Sequence, residues 1–283
     1  MDERTNTLLA AIKELEPHTV TTSLRNPRGV STRTFRGAML ADYASVKGLV
    51  TPATRSAPSV FTVTAEDGFA VSVAVAEVAA TYSEKQVLLA YEQDGDVVQA
   101  GVRLVVPGDD LGGRFILGVV DIDLHTLADF ATPVEGETVG LEGEIDRPSR
   151  FWLNDLSRFE TVEVDTETTG AHGSTEVVRA RYSGVRLFDL IEDAGPQLDP
   201  DAREPFLGKV IVARGREGYT VVIAGGEIEP RFMNGQVIIA THGNGEPLPA
   251  DEGPMRLVVP YDRAPGRFVA RLNSLELRDV RTL

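Results

Sequence analysis

One segment of this chain is written twice. Residues 86–115 read QVLLAYEQDGDVVQAGVRLVVPGDDLGGRF, and residues 236–268 read QVIIATHGNGEPLPADEGPMRLVVPYDRAPGRF. Both carry the pentapeptide RLVVP, at Arg103 to Pro107 and at Arg256 to Pro260. Other pairs keep the same order. Phe35-Arg36-Gly37 precedes Asp67-Gly68-Phe69, as Gly184 precedes Glu217-Gly218-Tyr219. The interval between partners grows from 147 at the first glycine to 150 at the hairpin and 153 at the RLVVP arginine. Such slow drift fits small loop insertions in a duplicated domain, not a solenoid of 20–50-residue repeats. Two domains also match the length prior for 283 residues. We place them at residues 1–124 and 141–283, with a linker over 125–140.

Within each copy the apolar runs are short. Alternation predicts strands over residues 18–24, 31–35, 60–64, 69–75, 87–91, 102–106 and 115–124. Asp67-Gly68 is a hairpin signal. Leu8, Leu9, Ile12 and Leu15 share one helical face that Pro17 ends, and a second helix is expected over 40–46. In the second copy the expected counterparts are 151–159 for the first helix, 162–166 for the first strand and 187–191 for the start of the second helix. Helices and strands do not alternate regularly, so the fold class is α+β, with mainly short strands and few helices.

Composition narrows the partners. The net charge is −15, with 11 basic and 19 acidic residues in 1–140 and 17 and 24 in 141–283. No basic lobe exists to follow a phosphate backbone, which argues against nucleic acid and against anionic membranes. No stretch approaches the ~20 apolar residues of a membrane span. The first residues lack a secretory pattern, so a cytoplasmic location is the expectation. There is no cysteine, which removes thiolate nucleophiles and cysteine-held metals.

An ordered series of short motifs then points to a family. Tyr182-Ser183-Gly184-Val185, Leu187-x-Asp189-Leu190, Ala194-Gly195, Glu217-Gly218-Tyr219, Ile239-Ala240, Asn244-Gly245-Glu246-Pro247-Leu248 and Gly253-Pro254-x-Arg256-Leu257-Val258-Val259-Pro260 resemble the sulfite oxidase-type molybdopterin-binding domain. The first copy resembles it more weakly, through Phe35-x-Gly37, Asp67-Gly68-Phe69, Leu89-Ala90 and RLVVP. The resemblance implies two tandem domains of that fold and, in redox members, a molybdenum–pterin cofactor ligated by one cysteine. That cysteine belongs in or just after the strand at 162–169, where this chain has Thr166, Thr168 and Thr169. The family's late Lys-Trp-Leu corresponds to Ala270-Arg271-Leu272 here, and to Leu117-Gly118-Val119 in the first copy.

These departures imply a fold kept and a metal grip lost, and hence no cofactor, with molybdopterin held another way as the alternative. The candidate catalytic residues are His172 and His242, each in a Gly-bearing turn beside the implied pocket and suited to proton transfer near neutral pH. Exposed loop histidines without a role are the plainer reading. Thr166, Arg256, Arg263 and Arg271 are candidate ligand contacts, since guanidinium groups grip carboxylate or phosphate, although surface ion pairs would also explain the arginines. Asp165 and Glu167 share a strand face, either as an acid–base pair or as its solvated side. Trp152 is expected in the core. No dinucleotide loop, HExxH or G-x-S-x-G spacing is present. Three functions stay open: a non-redox protein for a small organic ligand with acid–base chemistry, an oxidoreductase with a non-cysteine metal environment, and a silent scaffold.

Overall fold

The computed structural model describes residues 2–283 except 27–28, 52–53, 55, 84, 128–136, 170–175 and 234. The first half opens with helix α1 (Glu3–Lys13), capped by the Asp2 carboxylate, which accepts the Arg4 backbone N–H at 2.7 Å. It continues through β1 (His18–Asn26), β2 (Gly29–Met39), α2 (Leu40–Val46), β3 (Ser59–Ala65), β4 (Ala70–Ala74), the single turn α3 (Val75–Val78), β5 (Leu88–Gln93), β6 (Asp96–Val97), β7 (Arg103–Val105) and β8 (Val119–Thr126). The second half contains β9 (Val139–Gly143), β10 (Ser149–Phe151), β11 (Thr161–Thr169), β12 (Val177–Arg186), α4 (Leu187–Ala194), β13 (Lys209–Gly215), β14 (Thr220–Ala224), α5 (Gly225–Ile228), β15 (Ile238–Gly243), β16 (Glu246–Pro247), β17 (Arg256–Val258) and β18 (Leu272–Asp279). The fold is mainly β with few helices.

One sheet of the first half runs β1-β2-β5-β6, with β7 also on β5; one of the second runs β11-β12-β15-β16, with β17 also on β15. The remaining sheets read β4-β3-β8 and β14-β13-β18, the latter extended by β9 and β10. Irregularities fall at matching places. The ladder shifts between Arg36 and Gly37 and between Ser183 and Gly184. There a Cβ would lie 2.1 Å from Leu89 O or from Ile239 O, so only glycine allows the neighbouring strand this close. Asp94-Gly95 and Asn244-Gly245 both have positive φ at each residue, as a two-residue hairpin turn of the primed kind requires.

Residues 151–159 depart from the expected helix. Phe151 ends β10, and Leu153–Arg158 forms a 3₁₀ segment. The Asp155 carboxylate accepts the Trp152 N–H at 2.7 Å, which stops the strand and leaves the Trp152 ring 56% exposed and outside the core.

The halves meet through paired contacts. Asp110 N–H donates to Phe232 O and Arg263 N–H to Tyr82 O, both at 2.8 Å. Gly113 and Gly266 lie so close to the rings of Phe232 and Tyr82 that an added Cβ would stand 2.2 and 2.3 Å away. Behind each contact sits a buried ion cluster. Arg114 binds Asp109 at 2.7 and 2.8 Å and Glu77 at 2.8 Å. Arg267 binds Asp262 at 2.6 and 2.8 Å and Glu227 at 2.9 and 3.0 Å. Burial opposes both guanidinium charges, but the flanking carboxylates overcome it and hold each arginine well above its ordinary pKa. Burial also raises both glutamates. At Glu77 the charges of Arg114 and Lys85, the latter 2.7 Å away, prevail and take it down to about 2, whereas at Glu227 burial wins and the shift is upward.

Arg267→Ala would leave two buried carboxylates without their cation and should cost about 3–5 kcal/mol in urea unfolding. Glu77 titrates lower folded than unfolded. Its contribution is therefore complete above its ordinary value of 4.5 and lost as pH falls toward about 2. Glu77→Gln should flatten the wild-type decline in stability across that window, read from urea midpoints against pH.

Candidate functional site

Strand β11 alternates as its sequence demands. Val162, Val164, Thr166 and Thr168 face inward, while Glu163, Asp165 and Glu167 face solvent. Asp165 pairs with Arg181 at 2.7 Å and Glu167 with Arg179 at 2.9 Å, so those carboxylates form the solvated face of the strand. Thr166 is buried, and its hydroxyl donates to Ala180 O at 3.2 Å.

His242 lies on β15 opposite Ser183, half-buried, with Nδ1 2.9 Å from Thr241 Oγ1. His172 lies outside the described residues. Arg256 extends from β17 over the rings of Tyr182 and Phe268, at 5.6 and 5.5 Å, and pairs with Glu252. Arg271 takes φ +49° and pairs with Glu217 at 3.0 Å, and its N–H donates to Glu252 O at 2.7 Å. The Arg263 carbonyl accepts both the N–H and the hydroxyl of Thr169, at 2.6 and 3.0 Å. Glu252 thus joins Arg256 to Arg271. Arg263 is tied instead to the end of β11, while Thr166 bonds Ala180 and His242 bonds Thr241.

A cavity of about 510 Å³ opens mainly in the first half, lined by Leu24, Glu66, Asp67, Phe69, Arg103, Phe115 and Leu117 among others, with Arg203 contributed by the second half. Its size suits a small ligand. Among the described residues, none of the candidate site residues expected from the sequence lines this cavity. The signal lay in differences between the two halves. Four residues before each RLVVP arginine stand Gln99 and Glu252. Arg271 is matched by Gly118, and Tyr219 by Phe69. In the second half those residues close on one another: Tyr219 donates its hydroxyl to Gly266 O, Arg271 reaches Glu217, and Arg256 holds Glu252. In the first half Phe69, Asp67 and Arg103, which match Tyr219, Glu217 and Arg256, line the cavity.

The oxidoreductase molybdopterin binding domain family matches residues 131–280, more than half of the chain. The protein belongs to that family. Among solved structures it is similar to the sulfane dehydrogenase SoxCD from Paracoccus pantotrophus, at 20% identity and a TM-score of 0.41, over 56% of this chain and 42% of that one. This chain therefore spans less than half the length of that protein's. No curated protein matches.

The family implies a molybdenum–pterin group, and the residues present do not fit its thiolate-ligated form. No cysteine exists to bind the metal. Thr166 and Thr168 are the inward threonines of the implied strand; Thr166 spends its proton on Ala180 O, and a hydroxyl is a hard donor where a soft one is needed. Among the described residues no group of three or more His, Asp or Glu converges to hold a metal ion.

Arg271→Gly removes an exposed ion pair, which contributes about 0–1 kcal/mol. It also relieves a positive φ, which costs a side-chain residue about 1 kcal/mol. Thermal unfolding should show a net change below about 1 kcal/mol.

Proposed function

We propose that the protein is a duplicated, cofactor-free member of its family that no longer performs molybdenum redox chemistry and binds a small organic molecule. The observation that carries this reading is Thr166, a buried hydroxyl committed to a backbone carbonyl at the place the family gives its ligand sulfur. The matching strand orders and the paired contacts between halves support the duplication. The first-half cavity is the binding site under this reading, because the corresponding residues of the second half are engaged with one another. Among the described residues no helix is long and apolar enough to cross a membrane, and we place the protein in the cytoplasm.

Acid–base catalysis at His242 is a second reading. It is favoured by the Thr241 hydroxyl at Nδ1, which orients the ring. Its test is His242→Ala in any turnover assay that a ligand opens.

The primary test is metal analysis together with native mass spectrometry of protein purified from a host that makes the molybdenum cofactor. The expected result is no stoichiometric molybdenum and a bound organic species of low mass. Stoichiometric molybdenum that survives gel filtration would overturn the reading in favour of an oxidoreductase with a non-cysteine metal environment. A protein with neither metal nor ligand would favour the scaffold.

A further inference from the structure

We propose that the first-half cavity takes an amino-acid-like zwitterion, with Arg103 receiving its carboxylate and Glu66 its ammonium group. The proposal rests on the reading that this cavity binds a small organic ligand, and adds the ligand's chemistry.

Arg103 is the starting point. It projects from β7, and its Nη1 donates to the neutral amide of Gln93, while its Nε is buried without a partner. Among the described residues no carboxylate stands within ion-pair distance of it. Burial alone draws its pKa below the ordinary value. The matching Arg256 lives differently, with Glu252 paired to it. The residue in the place of Glu252 is Gln99, whose amide donates to Val97 O instead. An arginine half withdrawn from water and left without its counter-ion is costly. A ligand carboxylate supplies that counter-ion in a geometry guanidinium groups favour.

The mouth of the cavity gives the second pole. In the second half Arg271 pairs with Glu217. Here the same positions are Gly118 and Asp67, and among the described residues no ion pair engages the Asp67 carboxylate. Glu66 lies against Gly118, its side chain 3.3 Å from where a Cβ would stand. The lining thus carries two cations, Arg103 and Arg203, and two carboxylates, Glu66 and Asp67. A dianion such as phosphate would meet both carboxylates and a chain of net charge −15. A molecule with one charge of each sign meets a partner at each end. Leu24, Phe69 and Phe115 offer apolar surface to its side chain.

Calorimetric titration of the full chain with L-leucine, L-phenylalanine and leucyl-leucine tests this. Leucinol lacks the carboxylate, and 4-methylpentanoate lacks the amine. At least one zwitterion should bind saturably, with leucinol and 4-methylpentanoate each weaker by about tenfold or more. Arg103→Gln should weaken the zwitterion by a similar factor. Glu66→Gln should weaken the zwitterion but not 4-methylpentanoate, and Glu217→Gln, in the other half, should change nothing. If Arg103→Gln fails to fold, the wild-type ligand series and Glu66→Gln still decide. Binding that ignores the carboxylate, or that survives Arg103→Gln, overturns the proposal. So does the absence of binding by every probe at millimolar concentration. A low-mass species recovered by native mass spectrometry in that last case would leave the small-ligand reading standing while this one falls. Recovery of none would remove both.

Discussion

Two buried arginines hold this molecule to one arrangement. Arg114 and Arg267 each carry a full charge out of water, which is tolerable only because each is bracketed by an aspartate five residues earlier and by a glutamate from a distant turn. Those glutamates, Glu77 and Glu227, also accept the backbone N–H of Ala74 and Ala224 and so close the short turns α3 and α5. One cluster therefore fixes a turn, a loop and the end of the RLVVP segment together. Lys85 extends the first cluster across the boundary between halves, its ammonium resting on Glu77 and 2.9 Å from Met233 Sδ. The glycines pressed against Phe232 and Tyr82 are the steric counterpart of this charge arrangement. They permit the close approach that the clusters then secure.

From that fixed frame the two halves diverge at their openings. Both keep an arginine at the start of RLVVP, both keep an aromatic residue after the second turn, and both keep a glycine where two strands crowd. What differs are the residues that answer those groups. Glu252, Arg271 and Tyr219 satisfy the second half from within. The first half has Gln99, Gly118 and Phe69 in those places, and a cavity of about 510 Å³ opens beside Arg103 and Phe69.

Much of the framework could be read in the residues beforehand, because strand alternation and turn chemistry act locally. Helix α2 begins and ends where Leu40 and Val46 predicted, and Asp165 and Glu167 lie on the solvated side that their spacing allowed. Local signals failed at 151–159, where a side chain capping its own turn overrode a helical pattern and turned Trp152 outward. They also failed at Arg103. Its repetition was legible, but its missing counter-ion is a property of space, visible only once Gln99 is seen where Glu252 stands in the other half. The buried clusters were illegible for the same reason, since nothing in a sequence says that an arginine and a glutamate forty residues apart will be shut away together.

One of the two five-stranded sheets of the second half carries a consequence for biosynthesis. Its strands run β10-β9-β18-β13-β14, so the two earliest, β9 and β10, are separated from β13 by β18, the last of them to be translated. On the ribosome β9 has no neighbour on that flank until residues 272–279 emerge. The sheet can close only as a late event, and nascent chains stalled short of this point would carry an open seam able to recruit a strand from elsewhere.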